Sequence, residues 1–189
     1  MTEQPVLFFE TPKEWRKWLH ANHAKSNGVW LRFYKKGAGK RSVVYAEALD
    51  EALCYGWIDG QSKRLDDEAY VQRFTPRRAK SIWSKRNRDH VARLEKEGRM
   101  HDAGRAEVER AKADGRWDAA YDSPSNMELP DDFVKALAKN KKAKAFLATL
   151  NRANTYAIAF RLHHAKKPET RARRIETFIA KLAEETPIV

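Results

Sequence analysis

The sequence predicts an α+β protein: a small, mostly antiparallel N-terminal sheet accompanied by helices, followed by an all-helical C-terminal half. Three observations carry this. Val29 to Tyr34 alternates Val29, Leu31 and Phe33 on one face with Trp30, Arg32 and Tyr34 on the other, the period of a strand. Trp57-Ile58 reads as a strand piece, and two further strand-like runs, Ser62 to Leu65 and Tyr70 to Phe74, flank the polar Asp66-Asp67-Glu68 as a hairpin would. From Ser84 onward, apolar residues recur only at helical spacing.

In chain order, Val6 to Phe9 is a short apolar run that suits an edge strand. Thr11-Pro12-Lys13-Glu14 is a capping box with proline at the first helical position, and Trp15, Trp18 and Leu19 then mark the inner face of a helix closed by Asn27-Gly28. The basic KKGAGKR stretch lacks the full G-x-x-x-x-G-K-[ST] pattern of a phosphate loop and reads as an exposed turn. Ala46, Leu49, Ala52 and Leu53 mark the next helix, which Gly56 ends because glycine takes positive φ without strain. Asp59-Gly60 is a bulge or a turn, and Thr75-Pro76 ends the last strand, since proline offers no amide hydrogen to a ladder. Val91 and Leu94 lie on a helix that Gly98 stops, and Asp102 suits the cap of another that runs to Gly115.

Trp117 to Asn126, WDAAYDSPSN, reads as a connector, dividing the chain into an α+β domain over 1–120 and a helical region over 121–189 packed on it. Beyond the connector, Phe133 and Leu137, then Ala143, Phe146, Leu147 and Leu150, then Tyr156, Phe160 and His163 mark three helices. Ile175, Phe178, Ile179 and Leu182 repeat at i, i+3, i+4 and i+7 on a fourth, opened by Pro168.

Composition narrows the function classes. A mean hydropathy of -0.79 is offset by 42% hydrophobic residues and six tryptophans, so the chain can build a core. The net charge of +12 and pI of about 9.8 favour an anionic or acidic partner: nucleic acid, anionic lipid or acidic small molecules. Cys54 is the single cysteine, which excludes an intrachain disulfide, and the amino terminus lacks the basic and apolar regions of a signal peptide, so a cytoplasmic location is expected. No apolar run approaches the roughly 20 residues that span a bilayer.

The motifs YAEALDEALCYGWIDGQ, QRFTPRRAKSIWSKRN, ADGRWDAAYDSPS and AKKPETRARRI resemble the YdeI/OmpD-associated family of bacterial proteins, also described as bacteriocin-protection proteins, over nearly the whole length. The resemblance implies an association with resistance to antimicrobial peptides and with an outer-membrane porin, with a periplasmic location given for some members, and it assigns no catalytic residues. Two departures fall at helix starts: Val44 where similar sequences have threonine, and His101-Asp102 where they have Thr-Pro.

The strongest candidate site joins Tyr55, Trp57, Asp59 and Gln61 to Arg73, Arg77, Arg78, Trp83, Lys85 and Asn87. Arginine presents a planar fork matched to phosphate or carboxylate, and tryptophan offers a face for a base, a sugar or a guanidinium. If the hairpin brings these segments together, they form a Trp/Arg-rich pocket for an anionic ligand. The competing structural explanation is a buried Asp59–Arg ion pair that only fixes the turn.

Other candidates are weaker. Cys54 has no histidine nearby in sequence and reads as a small core residue, and His20, His23, His163 and His164 lack acid or cysteine partners at metal-ligand spacing, so no metal and no cofactor is expected. The acid pairs Asp66-Asp67 and Asp131-Asp132 belong to a turn and a helix start. Basic runs over Arg73 to Arg99 and over Lys166, Lys167, Arg171, Arg173 and Arg174 raise nucleic-acid binding, although Glu95, Glu97, Glu169 and Glu176 interrupt them. No serine elbow, dinucleotide fingerprint or zinc motif appears, so a non-enzymatic accessory role is favoured over nucleic-acid binding and over an enzyme using Asp59.

Overall fold

The structure is a computed structural model that describes residues 4–123 and 126–189. Pro124 and Ser125 of the expected connector, and the first three residues, lie outside the described residues. The chain divides into two compact units, Met1–Ala120 and Tyr121–Val189.

The first unit holds β1 (Val6–Leu7), α1 (Pro12–Asn22), β2 (Val29–Tyr34), α2 (Tyr45–Cys54), β3 (Trp57–Arg64), β4 (Ala69–Pro76), α3 (Lys85–Lys96) and α4 (Asp102–Ala113). The strands form one sheet in the order β1-β2-β4-β3, with β1 parallel to β2 and the other two pairings antiparallel. The expected α+β class and mostly antiparallel sheet are what the structure has. Pro76 is the last residue of β4, opposite Trp57, where its missing amide hydrogen interrupts nothing further along the strand.

Strand alternation decides what the sheet shows on each side. Val29, Leu31 and Phe33 of β2 are sealed at 1% exposure or less. They pair with Phe74, Gln72 and Tyr70 of β4. Trp15 and Leu19 from α1 and Ala48, Leu49, Ala52 and Leu53 from α2 complete this core. Trp15 is its hub: its ring lies 5.8 Å from Phe74 and 6.3 Å from Trp57, and its indole N–H donates to the Ala48 carbonyl at 3.1 Å, so the ring is buried without losing its polar partner.

Between Asp59 and Ser62 the register shifts, so the ambiguous Asp59-Gly60 step is a bulge within one continuous strand, which the sequence suggested as two pieces. Gln72 secures it, its side-chain amide donating to the Gly60 carbonyl at 2.6 Å.

Helix ends follow local chemistry. Thr11 and Glu14 form the expected capping box, with the Glu14 carboxylate accepting from the backbone N–H groups of Glu10 and Thr11. At α2, Val44 has no oxygen to offer, so only the returning Glu47 carboxylate, 3.3 Å from the Val44 N–H, remains. Asp102 is the first residue of α4, not its cap; His101 takes that role, its Nδ1 accepting from the Ala103 N–H at 3.2 Å. The start of α4 lies directly on the end of α2. A Cβ on Gly104 would meet the Cys54 carbonyl oxygen at 2.3 Å, so only glycine permits this approach, and the His101 N–H donates to that same carbonyl at 3.0 Å.

The second unit holds α5 (Asp131–Ala138), α6 (Lys141–Thr149), α7 (Arg152–His163) and α8 (Pro168–Ala183) around Phe133, Leu137, Leu147, Ile158, Leu162, Phe178 and Leu182. Asn154 is buried within it, and its Oδ1 accepts from the backbone N–H of Ile188 at 2.7 Å and of Val189 at 3.1 Å. Arg171 of α8 forks onto Asp132 at the start of α5, at 2.5 and 2.8 Å, so this member of the Asp131-Asp132 pair both favours the helix start and binds a neighbour.

Candidate functional site

Lys13, Arg16, Lys17 and His20 stand at i, i+3, i+4 and i+7 on α1, hence on one face of that helix. Tyr55, the C-cap of α2, and His101, the N-cap of α4, face them because the close approach at Gly104 sets those two helix ends together. These six residues, with Thr11 and Glu14, line a groove of about 750 Å³.

Its floor is aromatic. Tyr55 and His101 stack at 4.7 Å between centroids with planes 24° apart, and His23 lies 5.3 Å from Tyr55 and 5.2 Å from His101. His20 stands 5.9 Å from His101, edge to face. Because Nδ1 of His101 accepts a backbone hydrogen bond, its neutral ring carries the proton on Nε2. Burial, then the nearby His23, holds the His101 imidazolium below its ordinary range, with His20 and Arg16 adding to the effect and Asp102 opposing it.

Under the floor lies a buried acid. Glu51, 5% exposed, accepts from Arg16 at 2.8 Å and from Arg99 at 2.7 Å, and Arg16 also donates to the Arg99 carbonyl at 3.0 Å. This fixes the Arg16 guanidinium 5.7 Å from the Tyr55 ring. Lys13, Lys17 and His20 are exposed, and Glu14 is the acid at the rim. The groove therefore offers mobile ammonium groups, a fixed guanidinium and imidazole N–H groups over an aromatic floor, a set suited to an anion with an apolar or planar body.

The residues singled out in the sequence are distributed as follows. Tyr55 lines the groove. Trp57 is sealed in the core, its indole N–H donating to the His23 carbonyl at 3.2 Å, so it supports the groove from behind. Asp59 accepts from the Tyr45 hydroxyl at 2.8 Å, and among the described residues it forms no ion pair with an arginine. Burial, then Asp59, drives the Tyr45 hydroxyl far above its ordinary range. Gln61 is exposed at the bulge. Arg73 lies on the opposite side of the sheet from Phe74 and donates to Gln4 at 2.7 Å.

Arg77 and Trp83 do come together. The Arg77 guanidinium carbon stands 3.5 Å over the Trp83 ring, its Nη1 donates to the Ile82 carbonyl at 3.1 Å, and Trp83 meets Trp117 edge to face at 4.9 Å. At 5% and 2% exposure the pair is an internal stack. Arg78 and Lys85 are exposed, and Asn87 is held at the α3 cap, its N–H donating to Ser84 at 3.1 Å. The ten residues thus do not line one concavity, and the groove draws on α1 and His101 instead. The i, i+3, i+4, i+7 cations of α1 were a signal in the sequence; their meeting with Tyr55 and His101 was not.

Cys54 is buried, and burial, then the Glu51 charge, pushes its thiol up to about 11. Among the described residues no cluster of three or more His, Cys, Asp or Glu side chains could hold a metal ion, and no helix is long and apolar enough to cross a membrane.

A four-stranded sheet with helices, followed by a helical unit, defines a two-part α+β protein. Residues 7–107 match the model of a Domain of unknown function (DUF8412), and residues 126–185 match that of the Bacteriocin-protection, YdeI or OmpD-Associated family. The chain belongs to the first family, whose model covers more than half of it, and carries in its second unit the domain of the YdeI/OmpD-associated family that its motifs resemble. The YGWIDG and FTPRR motifs fall within the first match, so the groove sits outside the YdeI/OmpD-associated segment. No curated protein and no solved structure matches the chain.

Proposed function

We propose that this protein is a cytoplasmic, non-enzymatic accessory protein of stress or antimicrobial-peptide resistance that binds an anionic ligand or acidic partner. The family domain in the second unit supports the accessory role. The binding site proposed is the α1 groove, with Tyr55 as its floor, and the observation that carries this is the convergence of Lys13, Arg16, Lys17, His20 and His101 on one aromatic stack. The raised, buried Cys54 thiol favours binding over nucleophilic catalysis, because a neutral thiol is a poor nucleophile.

Thermal melting with a panel of nucleotides, phosphosugars and acidic peptides tests the reading. A ligand that fits raises the melting temperature, corresponding to about 2.7 kcal/mol at a hundredfold excess over Kd. The Lys13→Ala/Lys17→Ala double variant removes most of that rise. If no anion stabilises the protein beyond the effect of bulk salt, or if the double variant responds like the parent, the groove is not an anion site.

A further inference from the structure

The side of the sheet facing away from the core carries a second set of rings and charges, on different residues from the groove. Alternation places Trp30, Arg32 and Tyr34 of β2 there, opposite Arg73, Val71 and Ala69 of β4. The register after the bulge adds Lys63 of β3, opposite Val71. Beyond the other edge of β2, Val6 is 58% exposed and Phe8 42% exposed, and the Phe8 ring stands edge-on to Tyr34 at 5.8 Å.

Cations lie across these rings. The Lys63 ammonium is 4.5 Å from the Trp30 ring centre, and Tyr34 has the Arg32 guanidinium at 4.8 Å and the Lys40 ammonium at 5.3 Å. Two of these charges have acid neighbours: Lys40 meets Glu68 at 2.6 Å and Arg32 is 3.7 Å from Asp66. Lys63 and Arg73 form no ion pair among the described residues. Trp30 and Tyr34 stand about 13 Å apart along the strand, a span that two bases of one extended polynucleotide can cover.

We propose that this sheet face binds single-stranded nucleic acid, with Trp30 and Tyr34 stacking on bases and Lys63, Arg73, Arg32 and Lys40 meeting phosphates. A polyanion with flat, apolar side groups satisfies both halves of the surface, whereas an acidic peptide uses only the charges and a duplex hides its base faces. The strongly basic chain favours the same partner. A base reaching Trp30 takes the place of the Lys63 ammonium, which is exposed and free to swing onto the adjoining phosphate. Every residue of β2 pairs with one of β4, so the platform exists before ligand arrives.

The test is fluorescence anisotropy of the full chain with labelled 12-mers of oligo(dT) and oligo(U), a 12-base-pair duplex and polyglutamate, between 50 and 200 mM salt. Both single strands are expected to bind more tightly than the duplex or polyglutamate. Trp30→Ala weakens them roughly tenfold or more, as loss of one stacking ring does. Lys63→Ala lowers the slope of log affinity against log salt by about 0.7.

Because Trp30→Ala could perturb the sheet, circular dichroism accompanies it. Ultraviolet crosslinking of the unaltered chain gives an independent reading, with adducts expected on Phe8, Trp30 or Tyr34. No single-strand binding at 50 mM salt, equal binding of duplex or polyglutamate, a folded Trp30→Ala variant with unchanged affinity, or crosslinks confined to other residues would each overturn the proposal. The groove double variant Lys13→Ala/Lys17→Ala is expected to keep oligonucleotide affinity within about threefold, so failure of one site leaves the other standing.

Discussion

The two sides of the sheet share the same six-residue strand, yet they do different physical work. Toward the helices, Val29, Leu31 and Phe33 exclude water and are locked by Trp15 and Phe74. On the other side, Trp30 and Tyr34 keep partial contact with solvent and are covered by long cationic side chains, whose stems shield apolar surface while their heads stay wet. An aromatic ring is therefore structural or available according to the parity of its position, and composition alone does not distinguish the two roles.

The comparison gives measurable consequences. Trp15→Ala is expected to destabilise the protein by about 3–5 kcal/mol, since it opens a large cavity and removes the indole hydrogen bond to the Ala48 carbonyl, whereas Trp30→Ala costs about 1 kcal/mol or less. Equal losses in chemical denaturation would erase the distinction between the two sides. Glu51→Gln tests the buried charge beneath the groove. It leaves Arg16 and Arg99 without their shared carboxylate, and because both guanidinium groups keep about a third of their exposure, a loss of about 2 kcal/mol is expected rather than the full buried-pair value.

Smaller effects sit at the helix ends. Thr11→Ala removes an existing cap and costs about 1 kcal/mol, while Val44→Thr supplies a missing one and is expected to stabilise by about 0.5 kcal/mol or more. A shift of the same sign in both melts would contradict the assignment of one filled and one unfilled cap.

The last prediction concerns pH. The folded state holds the His101 pKa below its unfolded value, so it binds fewer protons than the unfolded chain, and stability falls as pH drops below about 6.5. His101→Thr supplies a capping oxygen in place of the imidazole nitrogen and removes the titration, so its stability profile is flatter between pH 5 and 7. A profile that keeps the parent's slope would place the proton uptake elsewhere.

Much of this architecture was readable locally. Thr11 and Glu14 announced a capping box, VWLRFY announced both faces of β2, and Ser84 marked the start of α3, because each depends on residues within a few positions. What the sequence did not reveal depends on distant approach. The parallel pairing of β1 with β2 needs the chain to cross back through α1. The Tyr55–His101 stack needs Gly104 to admit the Cys54 carbonyl, and nothing in the spacing of positions 55 and 101 signals it.

The site expectation divided for the same reason. Proximity in sequence suggested that Trp57, Arg73, Arg77 and Trp83 would share one opening, but the pleat sent Arg73 to the far side and burial turned the Arg77–Trp83 pair inward. Tyr55 kept its place at a groove, with partners supplied by a helix more than thirty residues earlier.

The surplus residue in β3 also acts as a phase setting. Ahead of it, Asp59 shares a side with the core; behind it, Ser62 does, and Lys63 is delivered to Trp30. Paired without the bulge, the same residues would alternate strictly from Asp59, carrying Lys63 inward and Ser62 and Arg64 outward. The charge pattern of that exterior thus hangs on one irregular step in the ladder, and a strict period of two counted from Trp57 would assign Lys63 to the wrong surface.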